Sequence, residues 1–499
     1  MASNDIDIDA EKQIAAQRSG IQPNAKKGWR SYIWDHDTDQ KSPEERKLLV
    51  KIDTTILVYA CLAEFLKLLD QSNLSNAYVS GLKTDIGLDG NTYNVANALF
   101  SIGYAIGQIP GTLLLQKFSP HYVLPLFEII WSVATFATSA VKTPQHLWAC
   151  RFFVGLAEAP FFPGMLVTLA AWYTPAELGK RSSIFFVMAQ VGSFFSGYLQ
   201  AACYNLNGVR GLAGWRWLFI MDGVMSLPIA LVGFFFFPDT PARARGWWMT
   251  AADKQLAIDR IARAGIARNP GYFDWRLIKR ALSNWRWYLF VPGYVCFGLG
   301  TQAATTWFGV WLQAEGYSVY LRNIIPTCTN LVTLVAVLIW GWLSDYLENR
   351  PLVMIIAIIY GIFPLACLSV WNIPDGLKFF SYLTLGVEYI TPLFFTWANE
   401  VNRGDDGVRS FIVASMNCAQ YAMAAWVTIL TLPASKAPKF SVGYQTCAAF
   451  NAGAILIIGA IWYYDRRERA RELPSEAEID ATEKVHEKGS EEEITYLAE

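Results

Sequence analysis

The sequence predicts an all-α membrane protein whose twelve transmembrane helices form two six-helix bundles. Three observations predict it. Hydrophobic residues make up 53% of the 499 and charged residues only 17%, against roughly a quarter charged in an ordinary soluble domain. The apolar residues gather into blocks close to the ~20 residues that a helical span needs. Twelve such blocks fall six and six around a polar gap from 239 to 286.

Taken in order, residues 1–51 are polar and mixed in charge and read as a mobile, solvated cytosolic tail. Within it, Ser42 as cap, Pro43 at the first helical position and Glu44 and Glu45 in the first turn predict a short helix. The N-terminal bundle covers 52–237, with spans near 52–75, 92–116, 121–141, 145–171, 182–204 and 215–237. A cytosolic central loop covers 238–286. The C-terminal bundle covers 287–464, with spans near 287–312, 323–345, 351–371, 377–399, 409–432 and 444–464. Residues 465–499 form a cytosolic tail, acidic and polar from Pro474 and expected to be disordered. The first apolar block is too long and too charged for a cleavable signal and reads as a signal anchor.

Charge sets the orientation. The central gap holds ten basic residues, including Arg243, Arg245, Arg260, Arg268 and Arg280, against four aspartates. By the positive-inside rule it is cytosolic. Lys180-Arg181, Arg350, Arg403 with Arg409, and Arg466-Arg467 fall on the same side, which places both termini in the cytosol of a multi-pass protein. Thr250 to Arg263 reads as an N-capped amphipathic linker helix, with contact of its basic side to lipid headgroups as the alternative.

Several activities are excluded by what the chain lacks. There is no P-loop, no dinucleotide glycine fingerprint and no zinc-type cluster among the four histidines and eight scattered cysteines. The cysteines read as small buried hydrophobes. Nothing in the charge distribution suggests a nucleic-acid partner. Uphill transport would therefore draw on an ion gradient, with no cofactor. The sequon at Asn73 lies against the membrane and is discounted for glycosylation.

Charges inside the spans are the functional leads, because even on the gentlest insertion scale an unpaired charge at mid-bilayer costs at least about 2.5 kcal/mol. Glu64, Lys67 and Asp70 follow one another at three-residue steps in the first span, so Lys67 neighbours both acids. One reading is a self-neutralising cluster that sets helix packing. The other makes Lys67 the anchor for an anionic substrate while an acid competes for it or takes up a proton. Asp70-Gln71-Ser72-Asn73 continues the polar run outward, as an entrance would.

In the fourth span Arg151 and Glu158 are separated by two turns, about 10 Å along the axis, so each is expected to find its partner on another helix. Pro160 and Pro163 are expected to bend that helix. Glu128 and Glu388 lie inside their blocks and could hold protons, whereas Asp222, near the outer end, reads as paired with Arg216 or with the loop. Gly103, Gly107 and Gly111 make a four-residue strip for close helix contact. Gly298 to Trp307 offers Gln302 and Trp307 as part of a substrate wall, or as a polar helix interface.

Several of these segments resemble a known family. The six-plus-six plan, GWLSDYLENR from Gly341 through Asp345 to Arg350, and RFFVGLAEAPFFPG from Arg151 resemble the major facilitator superfamily. The equivalent first-half stretch, Gly111 to Pro120, lacks the acid and the closing arginine, which puts its gating role in doubt. LLDQSNLSNAYVSGLKTDIGL, WYTPAELGKRS, GLAGWRWLFIMDG and ANEVNRGDDGVRSF are similar to fungal anion:cation symporters of the allantoate permease group. FLKLLDQSNLSNAYVSG and GYAIGQIPGTLLL look most like its pantothenate transporters.

The resemblance implies proton-coupled uptake of a small organic anion, foremost pantothenate, by a monomer in the plasma membrane. Biotin, nicotinate, allantoate or a sulfur compound are the alternatives. On this reading Lys67 holds the carboxylate with Gln302 and Trp307. Glu64, Asp70, Glu128, Arg151 and Glu158 serve coupling or gating, and Gly341, Asp345 and Arg350 form a conformational motif. A non-transporting nutrient sensor is the reading from another class, and the short tails weigh against it.

Overall fold

The computed structural model describes residues 41–244, 248–263, 275–303, 306–402 and 406–472. Most of both tails, Arg245, Arg268, Arg403 and Thr305 lie outside the described residues. Within them the chain is helical, with no strand.

Helix α1, Pro43–Ile52, starts where the sequence predicts, its cap made by the Ser42 hydroxyl accepting the Glu45 N–H at 3.1 Å. It is not a solvated tail. Leu48, Leu49 and Ile52 are buried, and α1 continues through a π-helical turn, Asp53–Leu57, into α2, Val58–Ala77, which is the first span. The apolar side of α1 needed something to cover it, and the N-terminal bundle does so.

The remaining five spans of this bundle are α3 (Thr92–Lys117), α4 (Pro120–Thr138), α5 with α6 (Pro144–Glu158 and Phe161–Trp172), α7 (Pro175–Tyr204) and α8 (Gly214–Phe236). The expected bend in the fourth span is a break. Pro160 and Pro163 supply no N–H to the carbonyls of Leu156 and Ala159, so the helix stops at Glu158 and restarts at Phe161.

Two linker helices follow, α9 (Ala251–Arg263) and α10 (Trp275–Leu282). The second bundle is then built from α11 with α12 (Trp285–Gly300 and Thr306–Ala314), α13 with α14 (Val319–Ile324 and Thr327–Leu347), α15 (Arg350–Val370), α16 with α17 (Asp375–Thr384 and Thr391–Val401), α18 (Asp406–Thr431) and α19 (Ser441–Glu472). α19 runs past the expected boundary at 464, and Arg286 ties its end at Glu468 over 2.8 Å. The tenth span breaks after a buried acid, Glu388, as the fourth breaks after Glu158.

Eight of the spans are long and apolar enough to cross a membrane by length and composition alone. The other four are the first, which carries Glu64, Lys67 and Asp70, the third, which carries His121, two prolines and Glu128, and the interrupted seventh and tenth. Large exposed side chains such as Ile106, Ile109, Val133, Val224, Leu231 and Phe235 are apolar, as a lipid-facing surface requires.

Lipid tails are as apolar as leucine, so helices in a bilayer associate through close packing rather than through water exclusion. The glycine strip supplies it. Gly103 and Gly107 on α3 lie against the backbone carbonyls of Phe152 and Leu156 on α5, Gly155 lies against Phe100, and Gly111 lies against the Pro160 ring, none with room for a methyl. Between bundles, α3 meets α18 and α7 meets α14. The first and last described residues, Lys41 and Glu472, lie at one face, the terminal face; the opposite end is the far face.

At the terminal face an ion-pair network fixes α1 and α9 to the first bundle. Glu177 of α7 receives Lys41 at 2.7 Å and Arg260 at 2.5 Å, and Arg260 also reaches Glu45 at 2.9 Å. Arg181 clasps both oxygens of Asp53 at 2.7 and 2.9 Å. Thr250 caps α9 as expected. Arg260 is buried in this network and not turned to lipid. Slight burial of Asp253 works against its charge, but the Lys51 ammonium and Thr250 outweigh it and hold the carboxyl below its ordinary range.

Candidate functional site

Between the bundles lies a cavity of about 1010 Å³. The first bundle contributes Glu64, Lys67, Gln71, Tyr104 and Gln190, and the second contributes Tyr294, Gln302, Tyr389, Asn417, Gln420 and Tyr421. From Lys67, midway along the first span, it runs to Lys180, Asp345 and Arg350 at the terminal face.

Its far end is closed. Tyr78, Tyr93, Trp307 and Phe440 belong to one buried cluster, with Trp307 6.2 Å from Tyr93 and 4.6 Å from Phe440 between ring centroids. Polar clasps cross the bundles there. The Asn94 amide donates to the Leu432 carbonyl at 2.9 Å and its oxygen accepts the Ala434 N–H at 2.7 Å, while Asn323 donates to the Ser80 hydroxyl at 2.8 Å. Pro433, between the two bonded residues, has no N–H to offer.

Asn94→Ala is expected to loosen this end. Two bonds worth about 0.5–1.5 kcal/mol each shift the balance by roughly 5- to 100-fold toward opening of the far face. Faster labelling of Tyr93→Cys by a membrane-impermeant thiol reagent from that side checks it, and an unchanged rate contradicts it.

Lys67 is 4% exposed, with its ammonium 3.1 and 3.2 Å from the two Glu64 oxygens. The sequence expectation that it neighbours both acids is half right: Asp70 turns away. Its Oδ2 accepts the Thr135 hydroxyl at 2.5 Å, and its Oδ1 faces Arg151 at 4.0 Å. The difference is one of helix phase, since a step of three residues turns the side chain back by about 60° each time. Phe161 and Phe162 pack under Lys67, 5.9 and 5.3 Å from its nitrogen to the ring centroids, a placement that favours a cation.

Arg151 and Glu158 do find partners on the first span, as expected from their separation. Glu158 Oε2 accepts the Gln71 amide at 2.7 Å. Glu158 is thereby held beside the chain neighbour of Asp70, and Asp70 Oδ1 and Glu158 Oε1 are both buried without a donor. The Arg151 guanidinium, which faces Asp70, also stands 4.5 Å over the Phe100 ring.

The other expected site residues are dispersed. Gln302 lines the cavity, its amide on the Gly298 carbonyl at 3.2 Å. Trp307 does not line it and belongs to the far-end seal. Glu128 is buried outside the cavity, bonded by the Tyr59 hydroxyl at 2.5 Å. Glu388 accepts the Asn451 amide at 2.6 Å, also away from the cavity. Asn73 is buried on Asp222, which bars it from glycosylation.

Gly341 and Asp345 line the mouth, and Arg350 bridges Asp345 at 3.1 Å. Arg350 also grips both oxygens of Glu400 on α17 at 2.7 Å. The sequence reading missed Glu400, although a lone acid in a mostly apolar run was a signal. In the first half, whose loop lacks these charges, the terminal-face ion pairs come from α1, α7 and α9. The reading also missed the cavity tyrosines. Tyr104 stacks on Tyr421 across the bundles at 4.0 Å, but a tyrosine in an apolar run carries no mark of which way it faces.

Residues 60–428 match the Major Facilitator Superfamily. The chain belongs to this superfamily. It is accordingly a multi-pass membrane transporter of the secondary type and not an enzyme. The MFS transporter PfmaC of Pestalotiopsis fici is 34% identical, covering 91% of this chain and 86% of the relative. The pantothenate transporter liz1 of Schizosaccharomyces pombe is 36% identical, covering 80% and 78%. In fold the chain is similar to a partially occluded inward-open xylose transporter, XylE, from E. coli, with TM-score 0.60 and 16% identity over 81% of this chain and 96% of that one.

Proposed function

We propose that this transporter takes up pantothenate together with protons across the plasma membrane, acting as a monomer with both termini in the cytosol. The terminal face is then cytosolic, the cavity is open inward, and the far face is the sealed outer side. No cofactor is needed, because the proton gradient supplies the work.

The observation that carries this reading is Lys67. A buried ammonium in the cavity wall, held by one flexible carboxylate of its own chain, is an anion site with a resident occupant. An incoming carboxylate replaces Glu64, and Glu64 is then left to swing away or to take a proton. Pantothenate also has hydroxyls and an amide, for which Gln302, Asn417 and Gln420 supply partners, and a dimethyl group suited to the tyrosine rings. A likeness to liz1 favours the same solute.

Asp70 and Glu158 are the proton carriers in this reading, and Arg151 is the charge that one of them faces when ionised. Two carboxyls so close in a buried site hold at least one proton between them, which would satisfy the oxygens left without donors. Trp307 acts as a gate side chain, and the Arg350 motif as a brace of the inner mouth.

The test is growth and labelled uptake in yeast lacking its own pantothenate carrier, with a strain lacking biotin uptake alongside. Rescue of the first strain, with uptake that rises as external pH falls and collapses with a protonophore, is expected. Rescue of the biotin strain alone would sink the substrate assignment, and uptake indifferent to pH and protonophore would sink the coupling.

A further inference from the structure

Asp222 on α8 was expected to pair with Arg216. It does not. Arg216 donates to the Ser139 carbonyl at 2.6 Å and stacks 4.3 Å over the Trp215 ring, whereas Asp222 sits two turns deeper and is 0% exposed. Among the described residues no cation lies within ion-pair distance of it. Its Oδ2 accepts the Asn73 amide at 2.7 Å and its Oδ1 meets the Ser226 hydroxyl at 2.9 Å.

The Ser226 contact fits two protonation states. The same hydroxyl lies 2.8 Å from the backbone carbonyl of Asp222, and a serine has one hydrogen to give. With Asp222 ionised, that hydrogen turns to Oδ1. With Asp222 protonated, the carboxyl donates to the Ser226 oxygen, and the hydroxyl hydrogen turns to the backbone carbonyl. No atom has to move beyond a hydroxyl rotation, and no buried polar atom loses its partner in either state.

The surroundings couple this acid to both ends of the machinery. Of the elements packed on α8, α2 presents Asp70, three residues along the helix from the Asn73 that bonds Asp222. α4 presents Thr135 and Phe136, the latter against Gly223. α7 presents Ser196, whose hydroxyl donates to the Asn73 oxygen at 2.7 Å and accepts from Asn76 at 2.7 Å. The turn after α2 presents Tyr78. Next to Ser196, Gly197 abuts the Asn323 carbonyl and Thr327 of the other bundle, and Asn323 holds the far-face clasp to Ser80.

We propose that Asp222 is a third proton-holding residue of the transporter, placed between the far-face gate and the Asp70–Glu158 pair. It takes a proton as its carboxylate when the far face is open and passes it to the pair, returning to the carboxylate. Through Asn73 and Ser196 its charge state bears on the contact that closes the gate. This rests on the proton-coupled reading above.

The test uses full-length protein reconstituted in liposomes with labelled pantothenate, comparing uptake driven by a pH gradient with exchange at equal pH on both sides. Asp222→Asn, close in shape, is expected to lower gradient-driven accumulation at least about tenfold per pH unit while keeping exchange. Ser226→Ala, which removes the hydroxyl that donates to the carboxylate, is expected to displace the pH profile of uptake toward higher pH at normal abundance, because a hydrogen bond to an ionised group is stronger than one to a neutral group. Wild-type gradient response in Asp222→Asn, or loss of exchange along with it, overturns the inference and leaves proton coupling intact; if that variant fails to reach the bilayer, an unmoved Ser226→Ala profile overturns it. Wild-type protein that ignores the gradient removes the coupled reading and this inference together.

Discussion

Replacing Lys67 by alanine is expected to cut anion uptake roughly 30-fold or more at equal abundance. Truncating one partner of a buried, hydrogen-bonded charge pair costs about 2–5 kcal/mol, and each 1.4 kcal/mol is about tenfold in affinity. Lys67 is such a partner to Glu64 in the empty cavity, and under the proposed function it is one again to the substrate carboxylate. The variant also strands Glu64, 3% exposed, and breaking a buried pair in this way costs about 3–5 kcal/mol of stability, so abundance falls too.

Lys67→Ala with Glu64→Gln separates the two effects. Neutralising the stranded acid is expected to restore abundance without restoring uptake. Labelled uptake normalised to protein in the membrane is the measurement. A double variant that transports like the wild type would show that the anion finds its charge elsewhere. Lys67→Arg is expected to fall between them, because its planar fork must fit where a compact ammonium sits over Phe161 and Phe162.

What the sequence made legible follows from what helical periodicity encodes. It tells which residues share a helix face, so twelve spans, the glycine strip and the need of Arg151 and Glu158 for partners on another helix could be read. It does not tell which face meets the cavity. Trp307 and Gln302 are five residues apart, yet Gln302 sits in a short 3-10 turn, Thr301–Ala303, and Trp307 in the helix α12, and one ends in the far seal while the other lines the cavity. Asp222 was paired with the nearest cation in sequence because the Asn73 amide, contributed 149 residues away, leaves no local trace. The terminal-face network was invisible for the same reason. Glu177 reads as an ordinary first-turn acid until Lys41 and Arg260 arrive from opposite ends of the first half.

Asp70→Asn and Glu158→Gln are each expected to abolish uphill accumulation while sparing exchange. With one proton per monovalent anion the cycle carries no net charge, so the membrane potential does no work and the pH difference alone drives it, about tenfold in accumulation per pH unit. Remove the proton and the anion crosses as a charge, against an inside-negative potential worth about 2.3 kcal/mol per 100 mV, or roughly another 50-fold. One pH unit and 100 mV together therefore separate wild type from variant by roughly 500-fold in final accumulation. Exchange needs only binding and alternation, and the variants keep the hydrogen-bonding shape of both side chains toward Thr135 and Gln71. Accumulation and counterflow measured on the same vesicles decide it. If both variants accumulate pantothenate as the wild type does, the pair is structural, and Arg151 neutralises a carboxylate that never releases its charge.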